Sequence, residues 1–188
     1  TGSNRELDGT KALIKKNIYD FKNPISDIDL GNSGTGFRLM MGFISGLGID
    51  ATLIGDKSLM QRPMNRVANP LIEMGAKIIT KNGKAPVRVL ANNIINDEFR
   101  YEMPISSAQV KSAILFAALS SKKAVTVIEK TPTRDHTERM IEYFSGDIST
   151  KNYKSGRIIS LSKTALSAGT GISLSTNTLN VDAAQTGI

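Results

Sequence analysis

One order of predicted elements occurs twice along this chain of 188 residues. In each copy a short polar stretch is followed by a helical apolar pattern, a strand, a loop, a second helix and a glycine. Ser33 recurs as Ser107 after 74 positions, and Gly75 recurs as Gly146 after 71. This period is longer than the roughly 20 to 50 residues of solenoid repeats, so we expect a compact domain of packed units instead.

Apolar periodicity, glycines and polar turn residues predict a mixed α/β fold made of repeated βαβαββ-type units. The expected helices are 8–16, 36–46, 62–75, 106–119 and 134–144. The expected strands are 49–54, 76–80, 87–90, 98–103 and 124–129, with a short apolar segment over 25–30 and a turn at 92–93. Each unit therefore combines two helices with a strand pair.

The two copies and the remaining residues differ in composition. The expected organisation is one domain over residues 1–166, with copies over about 25–100 and 101–164, and a divergent tail over 167–188. The tail is rich in Gly, Ser, Thr and Asn, and two of its segments, 172–174 and 179–181, are expected to pair as a small hairpin. It resembles the short β-repeats of phage tail fibres or adhesins, so a truncated or chimeric reading frame stays open.

The net charge and the composition of the chain limit which ligands, metal sites and partners we expect. Twenty-four Lys and Arg against 17 Asp and Glu give a net charge of +7, which attracts anions such as phosphorylated metabolites. Cysteine is absent and His136 is the single histidine, so we expect no disulfide, no metal site and no cofactor. Scattered lysines, few aromatic residues and no long apolar stretch predict a cytoplasmic monomer without nucleic-acid or membrane partners.

Both copies place small polar residues where their first helix is expected to begin. These residues are Ser33, Gly34 and Thr35 in the first copy, and Ser107, Ala108 and Gln109 in the second. The free N–H groups and the positive dipole end of a helix start favour anions, and a small residue lets the ligand approach the backbone. Ordinary capping of the helix is the alternative.

Each copy also places an arginine, Arg62 or Arg134, where its second helix is expected to begin. A cation at a helix start opposes the dipole, whereas the planar guanidinium matches phosphate and carboxylate groups. A structural salt bridge is the alternative for either arginine. The repeated helix starts and arginines together predict a cleft for a doubly anionic ligand.

Four segments in order resemble the signature motifs of the 5-enolpyruvylshikimate-3-phosphate synthase family. They are L-G-N-S-G-T-G-F-R at 30–38, I-G-D at 54–56 with Q-R-P-M at 61–64, S-A-Q-V-K-S-A at 107–113, and T-R-D-H-T-E at 133–138. The resemblance runs from about residue 8 to about residue 164. It identifies the chain as a fragment that covers most of one domain of this family.

The resemblance implies the fold, the reaction and the roles of several residues. The family has two domains, each of three β/α repeats, in an inside-out α/β barrel fold, and it transfers the enolpyruvyl group of phosphoenolpyruvate to the 5-hydroxyl of shikimate 3-phosphate in aromatic amino acid biosynthesis. The implied contacts are Gly34, Arg62 and Gln109 for phosphoenolpyruvate, and Ser107, Ala108, Gln109 and Arg134 for shikimate 3-phosphate.

The catalytic groups implied by the resemblance are not recognisable in this chain. The family would place them in an N-terminal lysine-serine…arginine segment and in the second domain. We therefore assign no catalytic residue, and we expect the isolated chain to bind weakly and to be inactive. A non-catalytic anion-binding or interaction module that kept the fold is the alternative. The related enzyme of cell-wall synthesis is disfavoured by the absent cysteine and by the S-A-Q helix.

Overall fold

The computed structural model describes residues 22–91 and 95–163, together with the backbones of Ile172–Ser175 and Thr178–Val181. The chain divides into two units, one over Asn23–Leu166 and one formed by Thr1–Lys22 with Ser167–Ile188. The predicted helix over 8–16 and the predicted turn at 92–93 lie outside the described residues.

The first half of the larger unit forms a four-stranded sheet with two helices. Its elements are β1 (Ile28–Asp29), α1 (Gly34–Leu47), β2 (Ala51–Ile54), a 3₁₀ turn (Leu59–Gln61), α2 (Asn65–Glu73), β3 (Ile78–Lys81) and β4 (Lys84–Val89). The strand order is β1-β2-β4-β3, in which β1 runs parallel to β2 and the other neighbours are antiparallel.

The second half repeats this arrangement. Its elements are β5 (Phe99–Glu102), α3 (Ala108–Ser121), β6 (Val125–Glu129), α4 (His136–Tyr143), β7 (Ile148–Tyr153) and β8 (Gly156–Leu161). The strand order is β5-β6-β8-β7, with β5 parallel to β6 and the remaining neighbours antiparallel. The predicted α/β class with repeated βαβαββ units is confirmed. Of the helices in the described residues, none has the length and apolar character that spanning a bilayer requires.

The predicted starts of α2 and α4 are too early. Arg62 has an extended backbone, with φ −76° and ψ 144°, because it follows the 3₁₀ turn and precedes Pro63. A residue before proline avoids the helical region, so α2 begins only at Asn65. Arg134 likewise lies before the N-cap of α4, Asp135. Both arginines therefore lie in loops and not at helix starts.

The smaller unit contains the predicted hairpin strands. The strands β9 (Ile172–Ser175) and β10 (Thr178–Val181) pair antiparallel, with Ile172 opposite Val181 and Ser175 opposite Thr178. The prediction that these two segments pair is confirmed.

Helices α1 and α3 pack closely against each other in the core. A Cβ on Gly42 would overlap the carbonyl oxygen of Ala113, and a Cβ on Gly46 would overlap that of Ala117. The hydroxyl of Ser120 also donates to the backbone of α1, 3.0 Å from the carbonyl oxygen of residue 43. Glycines four residues apart thus let one face of α1 lie directly on the backbone of α3.

We predict that Gly42→Ala lowers the free energy of unfolding by about 1–3 kcal/mol, because the added methyl group forces the two helices apart. This cost exceeds the gain of up to about 1 kcal/mol in helix propensity. Urea unfolding measures the change in the free energy of unfolding, and amide chemical shifts show which residues move. We expect shifts at Ala113 and Ala117 on the facing helix.

The control is Gly48→Ala at the end of the same helix. Gly48 has φ +69°, and a Cβ there meets no atom within 4 Å, so the substitution strains only the local backbone. It should leave the amides of Ala113 and Ala117 unchanged. A Gly42→Ala chain as stable as the parent, with an unperturbed α3, would contradict the close packing.

Candidate functional site

Helix α1 begins beneath two arginine side chains. Ser33 caps the helix, since its hydroxyl accepts a hydrogen bond from the amide of Gly36 at 3.1 Å. A Cβ on Gly34 would lie 2.8 Å from Nη1 of Arg62 and 3.1 Å from Nη1 of Arg38. Glycine at this position therefore lets both guanidinium groups approach the first turn of the helix.

Arg62 is held by a chain of hydrogen bonds. Its Nη2 donates to Oδ1 of Asn32 at 2.6 Å, and Nδ2 of Asn32 donates to Oδ2 of Asp56 at 2.6 Å. The amide of Leu59 donates to the other carboxylate oxygen of Asp56 at 2.7 Å. The bond from Leu59, followed by the bond from Asn32, holds the pKa of Asp56 below its usual value of 3.8. Asp56 is therefore an anion at neutral pH.

Positive charge accumulates beside the start of α1. The guanidinium of Arg38 donates to the carbonyl oxygens of Gly34 and Pro63, each at 3.0 Å. Burial lowers the pKa of Arg38, and the charges of Arg62 and Arg66 lower it further. Within the described residues, neither Arg38 nor Arg62 has a carboxylate partner within 4.0 Å. An anion bound at this helix start would relieve the mutual repulsion of the arginines.

The starts of α1 and α3 touch through one side-chain hydrogen bond. Nε2 of Gln109 donates to Oγ1 of Thr35 at 2.9 Å, and the two residues occupy the same position in their helices. Ser107 is the N-cap of α3, but its side chain makes no capping bond. The structure thus brings Gln109 next to the start of α1, where the Arg62 side chain lies over Gly34. Ser107 and Ala108 come immediately before Gln109 in the chain.

Arg134 lies in the loop between β6 and α4. Its side chain is exposed in the loop before α4, and no hydrogen bond or ion pair joins it to a described residue. His136, expected to be an ordinary polar residue in the first turn of a helix, is the exposed first residue of α4.

A buried ion network lies beneath the second helix start. The side chain of Lys111 is fully buried, with Nζ 2.5 Å from Oε1 of Glu138 and 3.3 Å from Oε2 of Glu129. Nη2 of Arg157 lies 2.6 Å from Oε1 of Glu129. Sequence reasoning missed this network. The available signal was a lysine within the apolar pattern of α3, at the position that Phe37 occupies in α1.

The same network fixes the loop that carries Arg134. Thr133 donates to Glu129 from its amide at 3.2 Å and from its hydroxyl at 2.8 Å, and its carbonyl oxygen accepts a hydrogen bond from Arg157. Burial raises the pKa of Glu129, but the bonds from Thr133, the charge of Lys111 and the bond from Arg157 outweigh this effect and leave the pKa below its usual value of 4.5. The network therefore joins α3, β6, α4 and β8 around this loop.

Two depressions in the described residues lie elsewhere. One of about 350 Å³ lies between α4 and the β7–β8 pair, and one of about 300 Å³ lies beside the β3–β4 turn. Neither is lined by a site residue predicted from the sequence. We place the candidate site at the helix starts and not in these depressions. The helix starts and the two arginines without a carboxylate partner among the described residues supply positive charge and hydrogen-bond donors for an anion. In the described part of the chain no cluster of three or more His, Asp or Glu side chains could hold a metal ion.

Comparisons with known proteins agree on one family. The family model described as EPSP synthase (3-phosphoshikimate 1-carboxyvinyltransferase) matches residues 2–168. The 3-phosphoshikimate 1-carboxyvinyltransferase of Leuconostoc citreum (strain KM20) is 51% identical over 130 residues, which is 69% of this chain and 30% of that protein. The protein of the same name from Methylorubrum populi is 42% identical over 147 residues, or 77% of this chain and 32% of that protein.

Solved structures give the same result. The structure of EPSP synthase from Acinetobacter baumannii has a TM-score of 0.70 and 40% sequence identity, and the match covers 81% of this chain and 34% of that one. The chain thus spans about a third of the length of the relatives it matches.

We predict that Glu129→Gln lowers the free energy of unfolding by about 3–5 kcal/mol at neutral pH, because it leaves Lys111 and Arg157 without a shared counter-charge. The folded pKa of Glu129 lies below the pKa of this group in the unfolded chain. Its charge therefore contributes fully to stability above the unfolded pKa, and the contribution is lost as the pH falls through the folded pKa. The difference between parent and variant should shrink in acid, as measured by urea unfolding across pH 3 to 7.

Glu102→Gln is the matched control. Glu102 pairs with Lys130 at 3.7 Å, and both side chains are more than half exposed, so the loss should stay below about 1 kcal/mol. Equal losses in the two variants, or a Glu129→Gln loss that does not change with pH, would contradict the role of the buried network.

Proposed function

The chain belongs to the EPSP synthase (3-phosphoshikimate 1-carboxyvinyltransferase) family, and we propose that it forms most of one domain of an enzyme that transfers the enolpyruvyl group of phosphoenolpyruvate to the 5-hydroxyl of shikimate 3-phosphate. The observation that carries this proposal is the Arg62 guanidinium over Gly34 at the start of α1, next to the bond between Gln109 and Thr35. These contacts join two anion-binding helix starts into one surface.

Phosphoenolpyruvate fits the first helix start. It carries a carboxylate and a phosphate, both of which accept hydrogen bonds from a guanidinium fork. In the proposal, Arg62 binds one of these groups where its guanidinium lies over Gly34, at the positive end of the α1 dipole. The absence of a side chain on Gly34 is what lets the ligand and the arginine share this space.

Shikimate 3-phosphate fits the second helix start. Ser107 is the N-cap of its helix, but its hydroxyl makes no capping bond, so in the proposal this hydroxyl binds the substrate phosphate and the small side chain of Ala108 leaves room beside the backbone. Arg134 contacts the same substrate from the loop that the buried network holds in place. Gln109 lies between the two helix starts, where its amide can leave Thr35 and reach both ligands.

In the proposed reaction, the 5-hydroxyl oxygen adds to C2 of phosphoenolpyruvate as the hydroxyl loses its proton and C3 gains one. C3 then loses a proton while the bond from C2 to the phosphate oxygen breaks, so phosphate leaves and the enol ether remains. This chemistry needs acid and base groups beside the reacting carbons. The residues at the two helix starts bind and orient anions, and none of them is assigned as a catalytic acid or base. Because the chain spans about a third of its relatives, we propose that the 188 residues by themselves bind the substrates weakly and do not turn them over.

The proposed organisation follows the sequence pattern. Residues 1–166 form the domain, with the two repeats over about 25–100 and 101–164, and residues 167–188 are a divergent tail. We propose a monomer in the cytoplasm that needs no cofactor.

Arg62→Gln and Arg134→Gln should separate the two ligands. Each loses a charged hydrogen-bond donor, which costs about tenfold or more in affinity for the ligand it contacts. By calorimetry on the 188-residue chain, we expect Arg62→Gln to weaken phosphoenolpyruvate binding and to spare shikimate 3-phosphate. Arg134→Gln should do the reverse. A phosphate-release assay on the parent chain should show no turnover.

Arg100→Gln is the control, since it removes one positive charge from an exposed position on β5. If all three variants weaken both ligands equally, only net charge binds the anions and the proposed site is wrong. Phosphate release by the parent chain would instead contradict its proposed inactivity.

A further inference from the structure

Asn32 lies between a carboxylate and a guanidinium, and its two neighbours fix the orientation of its amide. Asp56 is ionised and can only accept hydrogen bonds, whereas Arg62 can only donate them. The amide nitrogen of Asn32 must therefore face Asp56, and its oxygen must face Arg62, each at 2.6 Å. Only a side chain with one donating and one accepting end completes this relay.

The far end of the relay is anchored by the backbone. Oδ1 of Asp56 accepts from the amide of Leu59 at 2.7 Å, and the amide of Asp56 donates to the carbonyl oxygen of Gly31 at 2.9 Å. The carboxylate of Asp56 is thus fixed to the 3₁₀ turn, and its backbone is fixed to the loop before α1. A fixed carboxylate holds the Asn32 amide in one orientation.

The near end of the relay places a guanidinium without neutralising it. A direct pair between aspartate and Arg62 would orient the arginine but would also compete with any anionic ligand. Here the neutral amide of Asn32 makes the contact, and the negative charge of Asp56 stays one side chain further away. The other end of the guanidinium, Nη1, lies over Gly34.

We propose that Asn32 and Asp56 are positioning residues for anion binding: Asp56 sets the orientation of the Asn32 amide, and that amide holds the Arg62 guanidinium over the start of α1 with its charge free for the ligand. The identity of the anion, phosphoenolpyruvate, rests on the proposed function. The positioning of Arg62 does not rest on that function, because the rigidity of the Arg62 side chain can be measured without any ligand.

The variant Asp56→Asn distinguishes the positioning of Arg62 from the effect of the negative charge at position 56 on anion binding. The variant keeps the shape of the side chain and an oxygen for the amide of Leu59, but its new amide nitrogen faces the amide nitrogen of Asn32. If Asn32 turns over to accept from position 56, it loses its acceptor for Arg62. Positioning therefore predicts weaker anion binding, by about fivefold to tenfold. Charge alone predicts the opposite, since a negative group next to a cationic site has been removed.

Two observables test the relay on the full 188-residue chain. The first is ¹⁵N relaxation of the Arg62 Nε–H group without ligand, which should show a rigid group in the parent and a mobile one in Asp56→Asn. The second is the affinity for phosphoenolpyruvate, with inorganic phosphate as a smaller probe. Asp50→Asn is the control, because it removes the same charge from an exposed pair with Arg88 and should change neither observable.

The exchanged double variant Asn32→Asp with Asp56→Asn tests the placement of the charge. It restores a donor at position 56 and an acceptor at position 32, so the Arg62 group should become rigid again. Its affinity for phosphoenolpyruvate should stay about tenfold below that of the parent, because the new carboxylate at position 32 now touches the guanidinium. If the Arg62 side chain becomes rigid again while the affinity for phosphoenolpyruvate stays low, the neutral amide of Asn32 is what keeps Arg62 available for the ligand.

Three results would overturn the inference: an Arg62 group equally rigid in Asp56→Asn, tighter anion binding by that variant, or full recovery of affinity in the double variant. A parent chain that does not bind phosphoenolpyruvate would contradict the proposed function instead, and the relaxation of Arg62 would still decide whether the relay positions it. Urea unfolding of each variant confirms that the comparison is made between folded chains.

Discussion

The contact between α1 and α3 is the constraint on which the rest of the structure depends. Gly42 and Gly46 let the two helices approach until side chains of one meet the backbone of the other. Because helices that pack so closely cannot slide independently, the position of one start fixes the position of the other. The hydrogen bond between Thr35 and Gln109 lies at that shared end. The two helix starts that we propose as anion sites therefore lie side by side.

The loop that carries the arginine is held in a different way in each half of the larger unit. In the first half, Asp56 and Asn32 form an exposed relay to Arg62, and Phe37 fills the core beneath the helix start. In the second half, Lys111 takes the place of Phe37, and its buried charge is compensated by a network that fixes the residue before Arg134. A buried ion network contributes little net stability compared with apolar packing, but losing one member is costly. In the second half, a buried ion network thus replaces apolar packing beneath the helix start, and this network holds the loop before α4 in one conformation.

The sequence predicted the order of the elements, the repeat and the approximate starts of α1 and α3, because these depend on local periodicity, glycines and capping residues. It misplaced the start of α2, since the restraint that Pro63 imposes on Arg62 outweighed the apolar pattern. Neither the relay nor the buried network could be derived, because their members lie on different elements and meet only through the fold. The lysine inside the apolar pattern of α3 was a local signal, but its partners 18 and 27 positions away, Glu129 and Glu138, followed no recognisable spacing.

The most direct test of the account is a heteronuclear NMR titration of the folded chain, first with shikimate 3-phosphate and then with phosphoenolpyruvate. With the first ligand, we expect localised shifts at Ser107 and Gln109. The second ligand should then shift Gly34 and the side chain of Arg62, and Gln109 should respond again because it lies between the two helix starts. Absence of shifts at these residues, or shifts confined to the depression between α4 and the β7–β8 pair, would contradict the claim that the paired helix starts form the substrate site.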